Sequence, residues 1–253
     1  MSNASVAPGK RSLEALAWLA RVGAAPFEPL QLVAGCNRAR THDHIRRLVD
    51  AGLVRRVPMT RGDGSLVVVT PTGAVMAGYP ASRAPRSVAP TTWAHTSACA
   101  WVSAWLQLRG HVWYSEREIA LDDFWRHEVR YKDARGSARV THRPDLGVHI
   151  ARGLVAVEVE LQRKSATRLR GVCEMYAQLT DSDGPLAGVI YFTDRPDVAA
   201  VVTRIAADIR LTNPTLTFRT IDQVVEQTRA AAHARAAAHA RAAANRQHNG
   251  APR

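Results

Sequence analysis

The sequence predicts an α+β fold in two units, and three observations predict it. Helical apolar spacing fills the first fifty residues and gives way to two extended segments around an Asp-Gly pair. A stretch without periodicity and rich in Pro, Ser and Ala, GYPASRAPRSVAPTT, then interrupts the chain. Beyond it, strand-like alternation is interspersed with helical patterns, as in a layered α/β domain. The boundaries that follow are 1–80 for the first unit, 81–92 for a linker, 93–228 for the second unit and 229–253 for a basic Ala/Arg-rich tail.

In the first unit, Leu13, Leu16, Leu19 and Ala20 share one side of a helix over 12–23, with Ser12 as its N-cap. PFEPLQLVAGC supplies a short second helix. Asn37 caps a third, which runs from about Arg38 to Ala51 and stops at Gly52. Thr41, Ile45, Leu48 and Val49 form its inward face. At about 100° per residue the opposite face carries Arg40, Asp43 and Arg47, flanked by His44 and Arg46, and Arg38 at the start of the helix is a further DNA-binding candidate. The segments flanking Gly62-Asp63-Gly64 form a hairpin, because Asp-Gly favours the tight turns that match strand twist. Three helices and a hairpin make a winged helix-turn-helix, whose third helix fits the major groove of duplex DNA. Arg40, Asp43 and Arg47 are then the base-reading candidates, and Arg55, Arg56 and Arg61 the phosphate candidates. Residues 1–80 hold ten Lys and Arg against five Asp and Glu, which favours this reading over a merely solvated helix face.

The whole chain carries a formal charge of +12, mostly from Arg, so a polyanion is the expected partner. A codon bias toward Arg and Ala is the competing explanation. Cys36, Cys99 and Cys173 are odd in number and far apart, which fits reduced core cysteines better than disulfides or a CxxC zinc site. No apolar run approaches the roughly 20 residues of a membrane span, and the N-terminus has no secretory pattern, so the expected compartment is the cytoplasm. In the tail, RAAAHA repeats every six residues, which spreads its arginines around a helix; a solvated helix or disorder is expected.

The second unit opens with a helix over 93–110 that sets Ala94, Ala98, Trp101, Trp105 and Leu108 on one side. The chemistry lies in HRPDLGVHIARGLVAVEVELQRKS (142–165). Leu146, Val148 and Ile150 alternate with Asp145, Gly147 and His149, and Val155, Val157, Val159 and Leu161 alternate with Ala156, Glu158, Glu160 and Gln162. A hairpin that matches the apolar faces needs paired residue numbers with an odd sum. A sum of 305 sets Asp145 opposite Glu160, and a sum of 303 sets it opposite Glu158. Both gather the three acids on one face within about 8 Å. Such a cluster repels itself unless a cation neutralises it, and Mg²⁺ with its preference for oxygen ligands is the natural choice. Balance by Arg130, Arg143, Arg163 and Arg168 is the alternative.

The order of these residues resembles the PD-(D/E)XK nuclease-like signature: an Asp on one strand, then acid-x-Lys on the next. The helix SATRLRGVCEMYAQL and the strand AGVIYFTD follow in the expected order. Together with the winged helix, residues 10–210 resemble the replication-relaxation proteins of actinobacterial plasmids and mobile elements, with a basic helix ending near Tyr176. The resemblance implies a restriction-endonuclease-like α/β domain with a mixed central sheet. It implies Asp145, Glu158 and Glu160 as Mg²⁺ ligands, and Lys164 as electrostatic support for a developing phosphorane. Glu160 stands where the pattern has Lys. Glu116 and Glu118 are candidates for a further acid from the first helix. Two functions follow for a double-stranded DNA-binding protein: metal-dependent cleavage or nicking, or an inactive regulator or replication accessory protein that uses the second domain for DNA binding or homodimerisation.

A second Arg-Pro-Asp, in DRPDVAA (194–200), precedes a helical pattern, so Asp194 or Asp197 reads as a helix cap. His42 and His44 diverge by about 200° on a helix and cannot chelate one metal.

Overall fold

The computed structural model describes residues 9–59, 64–133, 136–211 and 215–249, and these form a mixed α+β fold. Helix α1 (Lys10–Val22) begins before Ser12, which lies inside it, fully buried. The Ser12 hydroxyl meets His44 Nδ1 at 2.8 Å, so it ties α1 to α3 instead of capping a helix. A three-residue strand β1 (Ala24–Pro26) leads into α2 (Phe27–Ala34) and α3 (Arg38–Asp50). The Asn37 side chain accepts from the Arg40 N–H at 2.9 Å and caps α3 as its sequence indicates. Thr41, Ile45 and Leu48 are buried, but Val49 is 37% exposed, because one further residue of helical turn carries it past the core.

Strands β2 (Val54–Pro58) and β3 (Ser65–Val69) pair antiparallel, and β1 adds to the other edge of β3. Residues 60–63, with Arg61 of the expected turn among them, lie outside the described residues. Helix α4 (Pro71–Met76) follows, capped by Thr70. Gly73 lets α4 lie directly on the Leu53 carbonyl, since a Cβ there would stand 1.9 Å from that oxygen.

The second half builds a five-stranded sheet from β4 (Trp113–Tyr114), β7 (Leu146–Ile150), β8 (Gly153–Val159), β9 (Gly188–Phe192) and β10 (Leu216–Arg219). Its order is β10-β9-β8-β7-β4; β8, β9 and β10 run parallel, whereas β7 and β4 are antiparallel neighbours, so the sheet is mixed. A separate hairpin, β5 (His127–Asp133) with β6 (Gly136–His142), rests on α7 (Ala166–Leu179).

Helices cover both faces of the sheet. Val155, Val157 and Val159 pack with Ala98, Val102 and Trp105 of α5 (Trp93–Leu108). Ala156, Val189 and Tyr191 pack with Leu169, Val172 and Tyr176 of α7 and with Val198 and Val202 of α8 (Pro196–Asp208). Two covered faces explain why β8 is buried along most of its length, where alternation alone suggests one wet side.

Helix α5 departs from its predicted stripe: Ala98 and Trp105 are buried, but Trp101 and Leu108 are half-buried and Ala94 is exposed, while Ala100, Val102, Ala104 and Leu106 are buried as well. The reason is a shared core: Leu16 and Leu19 of α1, Ala25 of β1 and Leu30 of α2 join the same cluster as α5 and the sheet. The short helix α6 (Glu116–Ile119) reinforces this junction. Glu118 closes a capping box with Ser115 and accepts two hydrogen bonds from Arg21 at 3.1 Å. Helix α9 (Ile221–Asn249) runs unbroken into the basic tail; Trp105 donates to Gln227 at 3.0 Å, and Arg229 holds Glu28 through contacts of 2.7 and 2.9 Å. Asp194 does cap a helix, but it is α9: its carboxylate accepts the Ile221 N–H at 2.7 Å, while Asp197 pairs with Arg195. Among the described residues no helix is long and apolar enough to cross a membrane.

Burial raises the Glu118 carboxyl, but the Arg21 guanidinium and the Ser115 groups outweigh it and hold the pKa below the ordinary range. Stability from a depressed carboxyl is present above the unfolded pKa and is lost as pH falls through the folded one. Glu118→Gln should therefore cost about 2 kcal/mol at neutral pH. The deficit should shrink from about pH 4 downward, as read by urea denaturation at several pH values.

Candidate functional site

The charged residues of the second half converge where β7 begins and β8 ends. The β7–β8 turn contains two residues, with Ile150 paired to Gly153 and Leu146 to Val157, so the register sum is 303. That register aligns Asp145, just before β7, with Glu158. Its Oδ2 accepts the Val159 N–H at 2.7 Å and so extends the strand pairing by a side chain, while Oδ1 lies 3.2 Å from His95 Nε2 on α5.

Glu158 points the other way, into the layer of α7. It is 3% exposed, lies 2.8 Å from His142 Nε2 at the end of β6, and accepts a hydrogen bond from the Tyr176 hydroxyl. Burial raises this carboxyl, but the His142 charge and hydrogen bond, helped by Lys164 and Tyr176, leave its pKa below the ordinary range. Tyr176, buried beside that carboxylate, is pushed well up. Glu160 is 4% exposed and pairs with Lys164 four residues on. Its carboxyl is raised, first by burial and then by Glu158 and Asp145, against the pull of Lys164. Lys164 is itself held above its usual value: burial opposes its charge, and Glu158, Glu160 and Asp145 overcome that.

The register thus aligns the acids, while the side chains separate into two layers. Asp145 turns toward α5, Glu158 toward α7, and neither glutamate reaches open solvent. The shared wet face expected from alternation is absent because helices occupy both sides. Neutralisation comes from His142, Lys164 and His95, none of them among the arginines that alternation suggested. Arg130 instead pairs with Glu128 at 2.6 Å.

Sequence reasoning passes over His95 and His142 and reads Cys99 only as a reduced core cysteine. Among the described residues, His95, Cys99 and Asp145 form a group of three potential metal ligands whose donor atoms all lie within 4.8 Å of one another. Glu158 and Glu160 stand outside it. The legible signal was HxxxC in the opening helix, since residues four apart share a helix face. A cavity of about 240 Å³ opens beside the group, lined by His95, Cys99, Ser115, Glu116 and Leu146. Glu116 is raised by burial and by the Asp145 charge, and burial pushes the Cys99 thiol well up. Of the two glutamates in WYSEREI, Glu116 therefore belongs to this cavity and Glu118 to the Arg21 junction.

In the first half, Arg38, Arg40, Asp43, Arg46 and Arg47 are all exposed on α3. Asp43 and Arg46 pair with each other at 3.0 Å, and Arg38 lies 5.7 Å above the Phe27 ring. On β2, Arg56 is exposed and Arg55 half-buried. His42 stacks on Phe27 and His44 meets Ser12, so the two serve packing on different sides of α3.

No protein-family model and no curated protein sequence matches the chain. Among solved structures it is similar to the crystal structure of protein VC1899 from Vibrio cholerae, at 12% identity and a TM-score of 0.34, over 89% of this chain and 56% of that one. The chain therefore spans little more than half the length of that protein.

His142→Ala should strand Glu158 as an uncompensated buried charge and cost about 3 kcal/mol or more. Adding Glu158→Gln should restore part of that loss. Equilibrium urea unfolding of the single and double variants reads the coupling directly.

Proposed function

We propose that this chain is a double-stranded DNA-binding protein that uses a winged helix-turn-helix for recognition. Its second half serves as a PD-(D/E)XK nuclease-like domain in a regulatory or replication-accessory role, without cutting DNA. The observation that carries the reading is the outer face of α3. Arg40 and Arg47 stand exposed there with no ion pair among the described residues, directly after an α1-β1-α2 arrangement and beside the β2–β3 hairpin. A helix with free guanidinium groups on a rigid core meets the geometric needs of major-groove reading, and Arg55 and Arg56 on the hairpin suit phosphate contacts. The formal charge of +12 favours the same partner.

The nuclease-like assignment draws support from element order: Asp145 at β7, the acids at the end of β8, then α7 and β9. Loss of catalysis draws support from the internal pairing of each carboxylate. One observation favours the other reading, Mg²⁺-dependent cleavage: Lys164 pairs with Glu160, and the charges of Glu158 and Asp145 also help hold it above its usual pKa. That chemistry would require Glu158 to leave His142 and Tyr176.

In gel-shift titrations on duplex DNA, Arg40→Ala and Arg47→Ala should each weaken specific binding by about 1 to 3 kcal/mol. Arg56→Ala should weaken all duplexes alike and flatten the salt dependence by about one unit. Unchanged affinity in both α3 variants would move the reading surface elsewhere. Supercoiled plasmid with Mg²⁺ or Mn²⁺ should remain intact; nicking by the parent that Asp145→Ala abolishes would establish the cleavage reading instead.

A further inference from the structure

We infer that His95, Cys99 and Asp145 form a three-ligand site for a single Zn²⁺-type ion, with its fourth position opening into the adjacent cavity. The inference is independent of DNA binding; it shares Asp145 with the Mg²⁺ reading, and Cys99, which that reading does not use, separates the two. It begins with which nitrogen faces which partner. Both the Cys99 sulfur, at 3.4 Å, and the Asp145 oxygen, at 3.2 Å, face the same imidazole atom, Nε2. A proton relay from thiol through imidazole to carboxylate needs the two ring nitrogens, one for each partner, so this is not a nucleophilic triad. Nor can one Nε2 donate to the carboxylate while accepting from the thiol. Three donor atoms that converge on one point in this way match what a cation requires.

The distances agree with a particular coordination. Usual zinc bond lengths to nitrogen, oxygen and sulfur at tetrahedral angles give edges of about 3.4 Å for N···O and about 3.5 Å for N···S. The observed 3.2 and 3.4 Å fall close to both. Donor chemistry points the same way: imidazole and thiolate select Zn²⁺ and its neighbours, whereas Mg²⁺ seeks oxygen. His95 and Cys99 are fixed by their i, i+4 spacing on α5, and Asp145 is oriented from behind by the Val159 N–H at 2.7 Å. Three protein ligands beside a cavity lined by Ser115 and Glu116 leave room for a water or an incoming ligand at the fourth position.

The test uses the full chain, purified without metal and titrated with Zn²⁺ or Co²⁺ alone. One equivalent should bind, and the Co²⁺ form should show a thiolate-to-cobalt charge-transfer band. Cys99→Ser, the substitution with least effect on shape, should remove that band; Asp145→Asn should lower affinity at least about tenfold. Circular dichroism of each variant separates lost binding from lost folding, and the Cys99→Ser readout stands if Asp145→Asn fails to fold. Excess Mg²⁺ should leave the spectrum unchanged. A cobalt complex without the band, a band that persists in Cys99→Ser, displacement by Mg²⁺, or no binding to the folded parent would each overturn the site.

Discussion

A sheet covered by helices on both faces leaves Glu158 and Glu160 almost no water to meet, and that constraint organises the second half of this protein. Burying a lone carboxylate is costly, so each acid near the end of β8 must find its compensation inside the fold. Glu158 finds His142 and Tyr176, Glu160 finds Lys164, and Asp145 finds His95 and a backbone amide. These partners come from β6, α7, the β8–α7 connection and α5, so the pairings also fix where those elements meet. Each such interaction offsets a desolvation cost of similar size, so its net contribution is modest while loss of one partner is costly.

The same economy operates at the junction of the two halves. Helix α5 belongs equally to the sheet and to the helices of the first half, because Leu16, Leu30, Val102 and Val157 lie in one apolar cluster. Around that cluster, Arg21 with Glu118 and Arg229 with Glu28 supply directional contacts that the apolar surface lacks. An exposed, arginine-rich face of α3 and a polar cluster of possible ligands are thus carried on one continuous core. Helix α5 carries His95 and Cys99 and also packs against α1 and β1.

Much of this was readable from the chain because it depends on short-range periodicity. The Asn37 cap, the buried stripe of Thr41, Ile45 and Leu48, the exposed arginines of α3 and the alternating strands around Asp145 all follow from spacing along one element. Val49 lies one residue of turn past the buried stripe, and the cap of α1 falls at Gly9, three residues before Ser12. Strand β1 gave no signal, since three residues are too few to show alternation. Asp194 was correctly a cap but for the wrong helix, because its partner lies 27 residues away.

The sequence by itself determined the mixed α+β class, the basic outer face of the third helix, and the alignment of Asp145 with the glutamates to within one register choice. Those features are set by local geometry: about 3.6 residues per helical turn and two per strand repeat. Tertiary structure alone decided that both sheet faces are covered, that Asp145 and Glu158 turn into different layers, and that His95 and Cys99 meet Asp145 across 46 to 50 positions of chain. Burial and long-range convergence depend on which elements stack, and no periodicity within an element encodes its neighbours.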